Sequence, residues 1–220
     1  MVNEKGKKEK SFSRHLTEGE KSVLEDAEHG SKAIVPIKID EGNTVEIIQV
    51  DGGVIQGLPK NKRICDAMVY TVDCVHERMN LTWLIELKGS AKAREAQYSI
   101  KQLLESIGYM QDSSAYPQAE KYIKGRDYVF AAAAGAPDKT LPVVNSKNLK
   151  DLCKKLRALS GQRKNVKDMF MLFSYIQPDA RKKKAGRRGD KPPYSIMCHN
   201  NSTGYIAYPS MLMELLNDKK

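Results

Sequence analysis

The sequence lacks the long apolar runs and cysteine patterns of membrane and secreted proteins. No stretch approaches the ~20 apolar residues that a bilayer-spanning helix needs, and residues 1–15 lack the apolar core of a secretory signal. The four cysteines include no CxxC pair, and no histidine pair follows at zinc-finger spacing. We therefore expect a cytoplasmic protein with reduced thiols.

Acidic residues are outnumbered by basic ones, which points to an anionic partner. The 220 residues carry a net charge of +10, with 40% hydrophobic and 29% charged residues. This composition is ordinary for one soluble domain with a substantial core. Nucleic acid is the commonest partner of such a basic protein. A membrane surface is disfavoured because no basic helix has a strongly apolar face.

The first segments are expected to be a tail and a helix. Residues 1–12 are rich in Lys and Glu and are predicted to be disordered. A helix is predicted over 13–29, since Thr17 and Glu20 form a capping-box pattern and Gly30 provides a stop.

Hydrophobic periodicity in the rest of the chain predicts a mixed sheet flanked by helices. Two helices are predicted, over 91–107 and 149–159, and Gly108 is expected to end the first. A short helix from Ser210 closes the chain. The predicted strands cover 33–39, 45–50, 54–56, 64–72, 81–87, 128–134 and 169–176. Together these elements indicate an α/β fold and a single domain over 13–220.

A carboxylate and an ammonium group come together at the end of an apolar strand, in residues 83–89 (WLIELKG). Because side chains alternate along a strand, Glu86 and Lys88 share one face. Asp66 begins another apolar strand some twenty residues earlier. If the two strands pair, Asp66 and Glu86 can converge on one cation with Lys88 beside it.

These groups suit the hydrolysis of phosphodiesters. Two carboxylates can hold Mg²⁺, with Mn²⁺ as a substitute, and the carbonyl of Leu87 could add a ligand. The metal polarises the phosphate and lowers the pKa of a bound water, and Lys88 could stabilise the growing charge. The alternative is a partly buried salt bridge between Glu86 and Lys88, with Asp66 at a turn.

These residues resemble a known family. Residues 50–52 (VDG), 62–66 (KRICD) and 83–90 (WLIELKGS), followed by a helix rich in Ala and Gln, look like the PD-(D/E)XK nuclease superfamily. The resemblance covers about residues 33–135. It implies a restriction-endonuclease-like central mixed sheet flanked by helices, with Asp66 and Glu86 as metal ligands and Lys88 as the catalytic lysine. Cys65 stands where the family's pattern has proline.

The same resemblance suggests two further site residues. Many members add a glutamate from the first helix. We prefer Glu25 for this role among four candidates, since Glu20 is engaged in the capping pattern; the others are Glu18 and Glu28. Some relatives place a glutamine on the helix after the lysine. A helical wheel sets Gln97 beside the apolar stripe and Gln102 on the opposite face, so Gln97 is expected to reach inward, unless it is an ordinary flanking residue.

A basic loop over 179–193 is the predicted nucleic-acid-binding segment. Its flexible Gly and Pro residues would let it follow a phosphate backbone, although such a charge run can also be a solvated loop. A second basic cluster over 154–167 could extend the surface. No base-reading motif is found, so we expect contacts mostly to phosphate. The loop residues assigned to binding are Arg181, Lys182, Lys183, Lys184, Arg187 and Arg188.

The sequence therefore predicts a Mg²⁺-dependent nuclease, with an endonuclease in DNA restriction, repair, recombination or defence as the preferred function. Double-stranded DNA is the expected partner, and a second copy or a partner protein is left open. One alternative is an inactive nucleic-acid-binding or interaction module of the same fold. The other is an RNA-directed nuclease with the basic loop as its main site.

Overall fold

The computed structural model describes residues 13–16, 22–25, 34–37, 43–50, 64–74, 80–87, 93–112, 114, 117–134, 147–163, 172–176 and 197–199. In chain order the elements are β1 (Ser13–Leu16), β2 (Ser22–Glu25), β3 (Ile34–Ile37), β4 (Asn43–Gln49), β5 (Ala67–Cys74), β6 (Leu81–Leu87), α1 (Ala93–Gln111), α2 (Pro117–Glu120), β7 (Tyr128–Ala134), α3 (Lys147–Leu159), β8 (Phe173–Ile176) and β9 (Met197–His199).

The described strands form a mixed sheet, as an α/β fold requires. Seven strands lie in the order β1-β4-β5-β6-β7-β8-β9. The pairs from β1 to β6 are antiparallel, and the pairs from β6 to β9 are parallel. A separate antiparallel sheet is made of β2 and β3. The predicted α/β class is therefore confirmed at this level.

The centre of the sheet is buried on both faces. Every side chain of β6 is buried, which is typical of a strand covered by other layers on both sides. On one face Leu84 lies opposite the buried Met68. On the other, Trp83 stacks on Phe130, with ring centroids 4.7 Å apart. The continuous apolar runs correctly predicted the bounds of β6 and β7.

Two long helices pack on this sheet. α1 contacts β6 and β7, and α3 contacts α1 and β7. The predicted helices are confirmed, but α1 continues past Gly108 to Gln111, since one glycine inside a helix costs only about 1 kcal/mol. Among the described helices, none is both long and apolar enough to cross a membrane.

The direction of α3 is fixed by hydrogen bonds at its carboxyl end. The amide of Val129 donates to Ser160 Oγ at 2.9 Å, and the amide of Gly161 donates to the Arg126 carbonyl at 2.9 Å. The end of α3 therefore lies at the start of β7. Its 13 residues cover about 20 Å at the usual helical rise.

The helix predicted over 13–29 is wrong. Residues 13–16 form β1, which pairs with β4 from Ser13 opposite Ile48 to Leu16 opposite Val45. Residues 22–25 form β2, which pairs with β3. The capping-box pattern is a local signal, and strand pairing with distant residues overrides local preference.

Several predicted segments cannot be compared with the structure. The tail at 1–12, the strand at 54–56, the loop at 179–193 and the helix from Ser210 all lie outside the described residues.

Candidate active site

The pairing of β5 with β6 ends next to Asp66 and Glu86. The last paired residues at this end of the ladder are Ala67 and Ile85. One further step in the same register would bring Asp66 opposite Glu86. Directly opposed residues of an antiparallel pair point to the same face. The predicted pairing of the two strands is therefore confirmed, and the two acids lie at neighbouring positions.

Where the pairing of β5 with β6 stops, side-chain oxygen atoms accept hydrogen bonds from backbone amides. Two residues beyond Ile85, the amide of Leu87 donates to the Asp66 carboxylate, and two residues before Ala67 the amide of Cys65 donates to Ser106 Oγ at 2.7 Å. The strands therefore separate at the level of the two acids. Asp66 is held against the backbone of β6 rather than extending into solvent.

The backbone around Asp66 is held from two further sides. The amide of Val50, at the end of β4, donates to the Asp66 carbonyl at 2.9 Å. From α1, the amide of the Gln102 side chain lies 3.5 Å from the Ile64 carbonyl. Contacts from β4, β6 and α1 therefore meet at the three residues 64–66.

The two acids differ in burial. Glu86 is fully buried, at 0% exposure, whereas Asp66 is partly buried. A carboxylate away from water is costly unless a cation or hydrogen bonds compensate it. Two carboxylates held close together would favour a cation between them.

Oxygen donors of this kind suit a hard divalent cation. Two carboxylates and the neighbouring Leu87 carbonyl match the preference of Mg²⁺ for oxygen ligands. Among the described residues, no three His, Cys, Asp or Glu side chains are grouped closely enough to hold a metal. Asp66 and Glu86 form a pair, so water or substrate oxygens would complete such a shell.

The other predicted site residues lie outside the pair of strands β5 and β6. Lys88 directly follows β6 but falls outside the described residues, as do the six basic residues assigned over 181–188. Glu25 lies on β2 in the two-stranded sheet. It was proposed as a ligand from a first helix, and that helix is absent from the described residues around it, so the argument for choosing it no longer holds.

The predicted orientation of the two glutamines on α1 is wrong. Gln97 is exposed, whereas Gln102 is partly buried and lies near the Ile64 carbonyl. The helical wheel placed Gln97 beside the apolar stripe, but it could not show which neighbours cover each side. A role for Gln97 near the site stays a prediction.

Sequence reasoning missed the contribution of Ser106. This serine is fully buried and lies between the core residues Leu103 and Ile107 of α1. A polar residue inside an apolar stripe is a signal that could have indicated a buried hydrogen bond.

Comparisons of the chain with protein-family models, with curated proteins and with solved structures find no match.

Proposed function

We propose that this protein is a Mg²⁺-dependent nuclease that hydrolyses DNA, with a restriction-endonuclease-like arrangement of its mixed sheet. The observation that carries the proposal is that β5 and β6 pair as far as Ala67 and Ile85, the residues next to Asp66 and Glu86. The hydrogen bond from the Leu87 amide to Asp66 supports it, because a carboxylate fixed in place is suited to binding a cation.

Each residue has a distinct part in this proposal. Asp66 and Glu86, with the carbonyl of Leu87, would hold the metal. A bound divalent cation polarises a phosphate and acidifies a coordinated water. Lys88 follows two residues after Glu86, so by strand alternation it would share the face of the acids. Its ammonium group would stabilise the negative charge that develops on the phosphate.

The exposed face of α3 supports a nucleic acid as the substrate. Lys147, Lys150 and Lys154 are all exposed and fall on one side of the helix, three or four residues apart. The opposite side packs into the core through Leu149, Leu152 and Leu156. A row of cations on a rigid helix can contact successive phosphates and release counterions.

Cleavage of duplex DNA in Mg²⁺ or Mn²⁺ tests this function. We expect wild-type protein to cut DNA only with a divalent cation. Asp66→Asn, Glu86→Gln and Lys88→Ala should each lower the rate by about 100-fold or more, the usual cost of losing one stabilising group at a reacting phosphate or carbonyl. Single-stranded RNA in parallel reactions distinguishes DNA from RNA as the substrate.

Two variants serve as controls. Asp112→Asn removes an exposed acid at the end of α1, and Lys101→Gln removes an exposed lysine, so both should cut like wild type. Metal binding is measured separately: a ligand present at about 100 times its Kd adds about 2.7 kcal/mol to the stability of the folded state. Mn²⁺ should therefore raise the Tm of wild type but not of Asp66→Asn. Undiminished cutting by Asp66→Asn or Glu86→Gln would refute the site.

A further inference from the structure

Ser106 makes two hydrogen bonds that link α1 to the segment before Asp66. Its Oγ accepts the Cys65 amide at 2.7 Å and donates to the Gln102 carbonyl, one turn back on its own helix, also at 2.7 Å. Ser106 and Cys65 are both fully buried. Because its hydroxyl is held by its own helix, Ser106 presents a fixed acceptor to the Cys65 amide.

The hydrogen bond from the Cys65 amide to Ser106 is important because of its position in the sheet. The ladder between β5 and β6 stops at Ala67 and Ile85, and two steps further in the same register Cys65 and Leu87 would form a pair. Because Ser106 accepts the Cys65 amide, Cys65 is held against α1 and its amide is directed away from β6. Asp66 is the next residue, and its carboxylate accepts the amide of Leu87.

A second serine makes the same two bonds far from the acids. Ser160 Oγ accepts the Val129 amide at 2.9 Å and donates to the Leu156 carbonyl at 2.9 Å. It is also buried, at 1% exposure. Because β7 runs parallel to β6, Val129 lies near the start of the strands, at the end opposite Glu86. Ser160 is therefore a matched control for Ser106.

We propose that Ser106 is a positioning residue for the metal site: its bond to the Cys65 amide separates the strands and sets Asp66 against the amide of Leu87, the residue after Glu86. This inference rests on the proposed function for its metal, but its first step concerns the metal-free protein. Ser160 gives its own strand the same support without serving the site.

The first measurement uses the full chain without metal. The amide of Leu87 is followed by nuclear magnetic resonance in wild type, Ser106→Ala and Ser160→Ala. In Ser106→Ala we expect this amide to exchange with solvent up to about tenfold faster, the equivalent of one ordinary hydrogen bond, and its proton resonance to move upfield. In Ser160→Ala the Leu87 amide should behave as in wild type.

The second measurement is the affinity for Mn²⁺ by calorimetric titration. Loss of a group that orients a metal ligand typically costs about 10- to 100-fold in affinity, and we expect a loss of this size in Ser106→Ala only. Both alanine variants should lower Tm by similar amounts, so a general loss of stability cannot produce the difference. If Ser106→Ala does not fold, Ser106→Cys takes its place, because it keeps the shape of the side chain with a larger atom that is a weaker acceptor.

The outcomes separate the two proposals. If both alanine variants keep wild-type Mn²⁺ affinity and a wild-type Leu87 amide, the positioning role is overturned and the nuclease proposal stands. If wild type binds no divalent cation, the proposed function fails. The exchange rate and the proton resonance of the Leu87 amide then still show whether Ser106 positions Asp66. If Ser106→Ala leaves both unchanged, this inference is overturned as well.

Discussion

The Tyr70 hydroxyl donates a hydrogen bond to the Glu46 carboxylate, across the pair of β5 and β4. Its ring lies 5.0 Å from that of Tyr122 and 5.5 Å from the guanidinium carbon of Arg126. Arg126 in turn donates to the carbonyls of Thr71 and Leu81, each at 2.8 Å. This cluster holds the strands together at the end opposite Asp66 and Glu86.

Burial, followed by the hydrogen bond to Glu46 and its charge, raises the pKa of Tyr70. A group whose pKa is raised by folding stabilises the protein below its unfolded pKa, about 10 for tyrosine, and that contribution is lost as the pH rises further. Tyr70→Phe should therefore be less stable than wild type near neutral pH, by about 1 kcal/mol for the lost bond. The difference should shrink above pH ~10.

Urea unfolding of both proteins at a series of pH values measures this difference. Tyr109→Phe is a suitable control, because Tyr109 is another partly buried tyrosine and lies on α1. A gap between wild type and Tyr70→Phe that stays constant into the alkaline range would show that Tyr70 does not carry the pH dependence.

At the scale of elements, the sequence predicted those helices and strands whose pattern is contained in a short stretch of residues. The apolar runs of β6 and β7 and the apolar stripes of α1 and α3 were sufficient to place these elements. The prediction was wrong over residues 13–29. Capping signals favoured a helix there, but β1 pairs with β4, some thirty residues away. Such pairing depends on contacts between distant segments, which no short window contains.

The candidate site was predictable to the same extent. The pairing of β5 with β6 followed from a reasonable assumption about consecutive strands, whereas the shared face of Glu86 and Lys88 stays a prediction, because Lys88 lies outside the described residues. The hydrogen bonds that hold Asp66 were not predictable, because they depend on how α1 lies across residues 64–66. Ser106 and Gln102 contact this segment from about forty residues away.

The basic face of α3 can be tested as one element. The triple variant Lys147→Gln, Lys150→Gln and Lys154→Gln keeps good helix formers and removes three charges from exposed positions. If these lysines contact phosphates, DNA binding should weaken, and the slope of log K against log salt should fall in magnitude by about 2 to 3. Binding is measured by fluorescence anisotropy without metal, so that no cleavage interferes.

A second triple variant provides the control. Lys101, Lys121 and Lys124 are also exposed, and two of them already pair with glutamates: Lys101 with Glu105 at 3.7 Å and Lys124 with Glu120 at 3.0 Å. Neutralising these three changes the net charge equally but should alter the salt slope less. Equal effects of the two triple variants would mean that total charge, rather than α3, determines binding.

At the scale of the whole molecule, binding and chemistry are assigned to different parts of the chain. Asp66 and Glu86 lie where β5 and β6 separate. The lysines and arginines that give the protein its net charge of +10 lie elsewhere in the chain. Negative charge at the site opposes binding of a phosphate until a cation neutralises it. The basic surfaces would therefore supply affinity, and the divalent cation would permit the phosphate to approach the acids.

This division predicts opposite behaviour for two kinds of variant. Asp66→Asn removes a negative charge, so without metal it should bind DNA as tightly as wild type or more tightly, with the same salt dependence, while cleavage is lost. Replacing the six basic residues assigned over 181–188 with Gln should weaken binding and lower the salt slope by up to about 5, since each phosphate contact contributes about 0.9. At saturating DNA and low salt, this variant should recover much of its cleavage rate. Anisotropy and cleavage measured on the same duplex decide the matter: loss of binding in Asp66→Asn, or full wild-type affinity in the loop variant, would contradict the separation of the two functions.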